Sequence, residues 1–104
     1  MSDGAPIPWN LCVLRLYVTG RTLNSRCAIE NLRDLCEREL AGRYRLETID
    51  VLVHPERAER DHILATPTLM KIRPAPARRI IGDLSERERV LTGLDIKTDY
   101  RRRG

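Results

Sequence analysis

The stretch ILATPTLMKIRPAPARRIIGDL, residues 63 to 84, carries three prolines in a segment otherwise composed like a β-hairpin. Proline fixes φ and removes a backbone donor, so it belongs at strand edges, in turns or in the first turn of a helix. Pro67, Pro74 and Pro76 therefore punctuate two candidate strands, TLMKIR (68–73) and RRIIGDL (78–84), with PAPA as the turn between them. The same residues admit an alternative. Thr66 is an N-cap type and Pro67 a favoured first helical residue, so the pair can also open a helix through TLMKI.

Working outward from this stretch, HPERAERD places Pro55 at a helix start with Ala58 inside, which suits a short charged helix over residues 55–62. Upstream, LCVLRLYV (11–18) puts Cys12, Leu14, Leu16 and Val18 on one apolar face, with Leu11, Val13 and Tyr17 flanking Arg15 on the other. Such a run suits a central strand covered on both sides. Asn24 or Ser25 can cap the helix that follows, in which Ala28, Leu32, Leu35, Cys36 and Leu40 recur at helical spacing and Gly42 is placed to end it. YRLETIDVLV (44–53) reads as a second strand, parallel to the first across the helix. Downstream, Ser85 and Glu88 form an S-x-x-E capping pattern before a last helix through Glu86, Val90 and Leu91. The resulting order, β-α-β-α-β-β-α, describes a thioredoxin-like α/β domain. In that fold the proline before the third strand is cis, and Pro67 is the candidate.

The chain has 104 residues, the size of one small domain able to bury a single core. It contains no Phe, so the core must be built from Leu, Ile, Val and Ala. Of the formal charge of +4, residues 97–104 supply +3 through Lys97, Arg101, Arg102 and Arg103 against Asp99, leaving 15 basic against 14 acidic residues over residues 1–96. The folded part thus has no strong field of one sign. The terminal RRRG can touch nucleic acid or an acidic partner, but a solubilising tail is the preferred reading and no nucleic-acid partner is expected. Residues 1–10, rich in turn formers, are expected to be a flexible N-terminus. No apolar run approaches the roughly 20 residues that span a bilayer and no signal pattern opens the chain, so a cytoplasmic protein without membrane association is expected.

Site chemistry is sparse. Cys12, Cys27 and Cys36 form no C-x-x-C, and each stands where a small apolar residue would serve. Thioredoxin chemistry needs a low-pKa thiolate at the first helix's N-terminus with a second Cys three residues on. The corresponding loop here is TGRTLNSRC, with Cys27 alone. His54 and His62 lack two further ligands at metal-site spacing. No G-x-x-x-x-G-K, G-x-S-x-G or G-x-G-x-x-G occurs, so no cofactor is expected. A non-enzymatic binding module is the expected class. A thiol oxidoreductase acting through Cys27 is the enzyme alternative.

LRLYVTGRTLNS, the run from Tyr44 to Val53 with its IDVL, ILATPTLMKI and RRIIGDLSERERVLTGLD together resemble the KaiB family of bacterial circadian clock proteins, over residues 11–96. The resemblance implies two folds for one chain. One is a self-associating ground state (β-α-β-β-α-α-β), a dimer or tetramer, and the other a monomeric thioredoxin-like state that binds the N-terminal ATPase ring of KaiC. It implies further that residues 11–53 are common to both folds, whereas residues 54–96 rearrange. KaiA and a thioredoxin-like clock sensor kinase are implied as further partners where they exist. Carried over by position, Lys71, Arg78 and Arg79 match basic positions associated with KaiC contact, with solvated surface charge as the alternative for each. Gly93 and Asp95 match positions whose substitution favours the thioredoxin-like state; with Pro67, Pro74 and Pro76 they are the candidate control points of the switch. A KaiB-like stress or signalling adaptor that does not bind KaiC is the alternative function.

Overall fold

The computed structural model describes residues 11–96; the N-terminal segment and the basic tail, with the expectations that fall on them, lie outside the described residues. Four strands form one mixed sheet: β1 (Cys12–Val18), β2 (Tyr44–Asp50), β3 (Thr68–Arg73) and β4 (Arg78–Ile81), in the order β2-β1-β3-β4. β1 and β2 are parallel, and the β1–β3 and β3–β4 pairs are antiparallel. α1 (Leu23–Leu35) and α2 (Pro55–Arg60) lie between strands, and α3 (Arg87–Gly93) follows β4. The element order is the one expected from the sequence.

β1 is central, and strand alternation divides its side chains between two faces. Cys12, Leu14, Leu16 and Val18 join Ala28, Leu32 and Leu35 of α1 and Val90 and Leu91 of α3 in the apolar core. Its opposite face carries Arg15 and Tyr17, which meet α2. Charge on that face is thus answered by a helix that buries none of its own residues.

The cap of α1 lies two residues before Asn24 and three before Ser25, the two expected caps. Thr22 is the N-cap, its hydroxyl accepting from the Ser25 amide at 3.3 Å, while the buried Ser25 hydroxyl accepts from the Thr19 amide at 3.0 Å. The helix continues as a π-helical turn, Cys36–Leu40, in which the Ala41 amide donates to the Cys36 carbonyl at 3.2 Å. That wider turn brings Cys36, Glu39 and Leu40 inward together, and a Glu39 carboxylate oxygen lies 3.6 Å from the Arg87 guanidinium at the start of α3. Gly42, at φ +85°, reverses the chain as its position suggested, with Ala41 already left-handed before it.

Local hydrogen bonds shorten three expected elements. β2 stops at Asp50 rather than Val53, because the Asp50 carboxylate accepts from the Leu52 amide at 2.9 Å and the Gly20 amide at 3.0 Å, closing an Asx turn. β4 stops at Ile81 because Gly82, at φ +134°, turns its amide to the Pro67 carbonyl. The Ser85 to Glu88 capping box does not form: Ser85 donates its amide to the Asp83 carboxylate and Glu86 holds the N-cap position without a side-chain bond. Thr66–Pro67, Arg73–Pro74 and Ala75–Pro76 are cis, and TLMKIR is a strand in this conformation.

α2 and α3 end alike. After α2 the His62 amide bonds the Glu59 carbonyl and the Ile63 amide the Ala58 carbonyl, with His62 at φ +55°. After α3 the Asp95 amide bonds Thr92 and the Ile96 amide bonds Leu91, with Asp95 at φ +56°. Both are Schellman closures with a polar residue at the left-handed position usually given to glycine. Gly93 is the final residue of α3.

Candidate interaction surface

The large apolar side chains left exposed gather at one end of the sheet. Leu23 follows the end of β1, Leu52 and Val53 follow the end of β2, Leu64 precedes β3, and Ile81 closes β4. The pairing places those strand ends together, since Tyr17 lies beside Thr68, Thr68 beside Ile81, and Val18 beside Asp50. Leu64 is 94% exposed, which no packing requirement of a free domain explains.

The centre of this end is the β1–α1 loop. The Thr19 and Thr66 hydroxyls are hydrogen-bonded across it. Thr19, Thr22, Asn24 and Thr66 line an open cleft of about 440 Å³ beside Leu23. Leu52 packs over Gly20, with its Cδ1 3.3 Å from where a Cβ would stand. The Asp50 carboxyl is held below the usual range by the Gly20 and Leu52 amides, and Arg21 of the loop itself is exposed. The end thus combines exposed apolar side chains with hydroxyls and one exposed arginine, a composition suited to contact with a protein partner.

The expected contact residues separate. Lys71 is fully buried, and its ammonium donates to the Asp95 carbonyl at 3.0 Å. Neither solvated charge nor direct partner contact describes it in this conformation; it fastens β3 to the turn after α3. Lys71 and Asp95 are thus brought together, although the sequence reading gave them different roles, partner contact for one and switch control for the other. Arg78, Lys71's partner in the β3–β4 register, is exposed. Arg79 is exposed as well, yet its guanidinium donates to the Asp61 carbonyl at 2.8 Å and the His62 carbonyl at 3.1 Å, capping the C-terminus of α2. Sequence reasoning missed that use because it depends on residues 17 and 18 positions away.

Cys12 and Cys36 share the apolar core as free thiols. Burial pushes Cys12 up to about 11, against a smaller lowering by Lys71, and pushes Cys36 up to about 12. Cys27 is half-buried as the fifth residue of α1 and all three are free.

Residues 15–96 match the KaiB domain family. The chain belongs to the KaiB family. Proteins named circadian clock oscillator protein KaiB share 59% identity over 92 residues in Prochlorococcus marinus strain MIT 9303, covering 88% of this chain and 77% of that protein. In Parasynechococcus marenigrum strain WH8102 the figures are 58% identity and 88% of each chain. As a KaiB family member the chain takes a thioredoxin-like fold here: mitochondrial thioredoxin 3 of Saccharomyces cerevisiae superposes with a TM-score of 0.66 at 18% identity, over 86% of this chain and 81% of that one. The N-terminal domain of Synechococcus elongatus SasA superposes with a TM-score of 0.68 at 22% identity, over 90% and 92%. This KaiB family chain has Thr22, Asn24 and Thr66 lining the cleft where helix α1 begins, with Cys27 one turn further along.

Proposed function

We propose that this chain is a non-enzymatic timing regulator, working in the cytoplasm, whose thioredoxin-like conformation binds the N-terminal ATPase ring of KaiC and modulates the KaiC phosphorylation cycle. The observation that carries it is the 58–59% identity, over most of the chain, to proteins named circadian clock oscillator protein KaiB. The exposed apolar end formed by Leu23, Leu52, Val53, Leu64 and Ile81 supports it as a surface for a protein partner. Arg78 stands free to steer association, and Arg79 can join it by leaving the end of α2.

In this proposal residues 54–96 also form a second, self-associated state as a dimer or tetramer, and KaiC draws the chain to the monomeric state by binding only that one. Pro67, Pro74, Pro76, Gly93 and Asp95 lie in the segment that rearranges. Gly93 and Asp95 stand at the end of α3, where a single backbone conformation decides whether the helix closes. KaiA or a clock sensor kinase completes the partner set where the genome supplies one.

Size-exclusion chromatography with the hexameric KaiC of the same genome tests the proposal. Co-elution, stronger with phosphorylated or phosphomimetic KaiC, is the expected result; absence of a complex under every nucleotide condition overturns it.

A further inference from the structure

On the far face of the sheet a network of polar contacts ties α2 to the strands. None of the residues of α2 is buried, yet Tyr17 and Ile49, on the strands beside it, are 0% and 2% exposed. The cover is fastened through four side chains, Tyr17, Arg15, Arg57 and Arg79. The Tyr17 hydroxyl donates to an Asp61 carboxylate oxygen at 2.5 Å and lies 3.2 Å from the Arg57 carbonyl. Arg15 donates to the same Asp61 oxygen at 3.0 Å and to Glu47 at 3.3 Å. Arg57 grips Glu47 with two nitrogens, at 2.6 and 3.1 Å. From β4, Arg79 reaches the Asp61 and His62 carbonyls.

Asp61 is where these lines meet. Its carboxylate ties to β1 and its carbonyl to β4, while its amide belongs to α2 through the Arg57 carbonyl. We infer that Asp61 is the keystone of a polar clasp, and that releasing it lets α2 and its closing turn, residues 55–63, lift from the sheet as a unit while the apolar core on the other face stays folded. Two physical facts make the unit separable. A six-residue helix is not stable alone, so undocking and unfolding of α2 coincide. The attachments are largely charge-assisted hydrogen bonds, and no residue of α2 is itself buried, so α2 shares less apolar burial with the core than α1 or α3 does. Opening uncovers Tyr17 and Ile49, so the clasp also governs access to an apolar patch that the closed form hides. The inference concerns the monomeric thioredoxin-like conformation described here and does not rest on KaiC binding.

Amide hydrogen exchange by NMR on the full chain tests it, comparing Asp61→Asn and Tyr17→Phe with the parent. Reporters for α2 are the amides of Arg57, His62 and Ile63, which bond the His54, Glu59 and Ala58 carbonyls. Reporters for the core are the amides of Leu14, Leu16, Leu32 and Leu35. Protection of the α2 set is expected to fall about tenfold or more in Asp61→Asn, and by a smaller factor in Tyr17→Phe, with the core set within about twofold. Tyr17 lies outside α2, so its effect there reads docking rather than fraying of the helix end. Equal loss at both sets, or unchanged α2 protection in both variants, overturns the clasp.

Discussion

The two faces of the sheet are held by different physics. On one, α1 and α3 pack Leu, Val, Ala and Cys side chains against β1 and β3, and cohesion comes from apolar area removed from water. On the other, α2 sits over Tyr17 and Ile49 through Arg15, Asp61, Arg57, Glu47 and Arg79, and cohesion comes from geometry between charges. An apolar face tolerates small displacements, whereas a hydrogen-bonded one is either engaged or not. The difference predicts that injury to the first face is global and injury to the second is local and pH-dependent.

The sharpest test of the first half of that contrast is Leu16→Ala. Leu16 is fully buried in the central strand, and truncation should lower the unfolding free energy by about 2–5 kcal/mol, read from urea denaturation. A loss under about 1 kcal/mol would mean that the apolar face is not the main source of stability.

Next in size is a pair of basic residues that look alike in the sequence. Lys71→Ala leaves the Asp95 carbonyl without its buried donor and should destabilise by about 1–3 kcal/mol; Arg78→Ala, opposite it in the register, should stay within about 0.5 kcal/mol. Urea midpoints of the two variants measure the separation, and equal values would contradict the burial of Lys71.

The polar face supplies the pH dependence. Burial alone would raise the Asp61 carboxyl, but the Tyr17 hydrogen bond and Arg15 outweigh it and hold it below the usual carboxylate range, with Arg60 adding to the lowering. Arg57, then Arg15, hold Glu47 low as well. A carboxyl whose pKa is depressed on folding contributes stability that is fully present above its unfolded value, about 4, and is lost as pH falls through the lower folded value. Protection of the Arg57, His62 and Ile63 amides relative to the core should therefore fall on acidification below about pH 4, and Asp61→Asn should flatten that decline. An unchanged slope in the variant would remove Asp61 from the account.

The smallest effects belong to the end of α3. Asp95 occupies a left-handed conformation that favours glycine, so Asp95→Gly should stabilise this fold by up to about 1 kcal/mol. Gly93→Ala gains helix propensity worth up to about 1 kcal/mol, trimmed because the new methyl meets the Ile80 Cδ1 at 3.3 Å and Ile80 must shift slightly. Thermal denaturation reads both. If the chain also has a self-associated state, both variants should raise the monomer fraction in sedimentation velocity.

What was legible in the sequence follows the same division. The alternating face of β1, the helical spacing from Ala28 to Leu40, and the strand TLMKIR all appear where periodicity placed them, because apolar burial leaves a local repeat. The Asp50 turn and Gly82 shortened β2 and β4 through single hydrogen bonds that no periodicity records. Thr22 rather than Asn24 or Ser25 caps α1, since Ser25 is drawn inward to the Thr19 amide. The clasp was invisible because Tyr17 and Asp61 are 44 residues apart and no local repeat relates them. Lys71 was misjudged for a related reason: its place on the apolar face is set by register with Leu14, and its acceptor, the Asp95 carbonyl, belongs to a helix closure 24 residues on. The exposed leucines at the sheet end needed topology to be seen as one surface.

The conformation adopted in complex with KaiC is the most direct test of the account. NMR of the chain, isotope-labelled and bound to the N-terminal ATPase ring of KaiC, should show cross-strand contacts between Thr68 and Ile81 and between Leu69 and Ile80, the antiparallel β3–β4 register found here. Helical shifts over residues 68–73 in the bound state, or no binding at all, would contradict it.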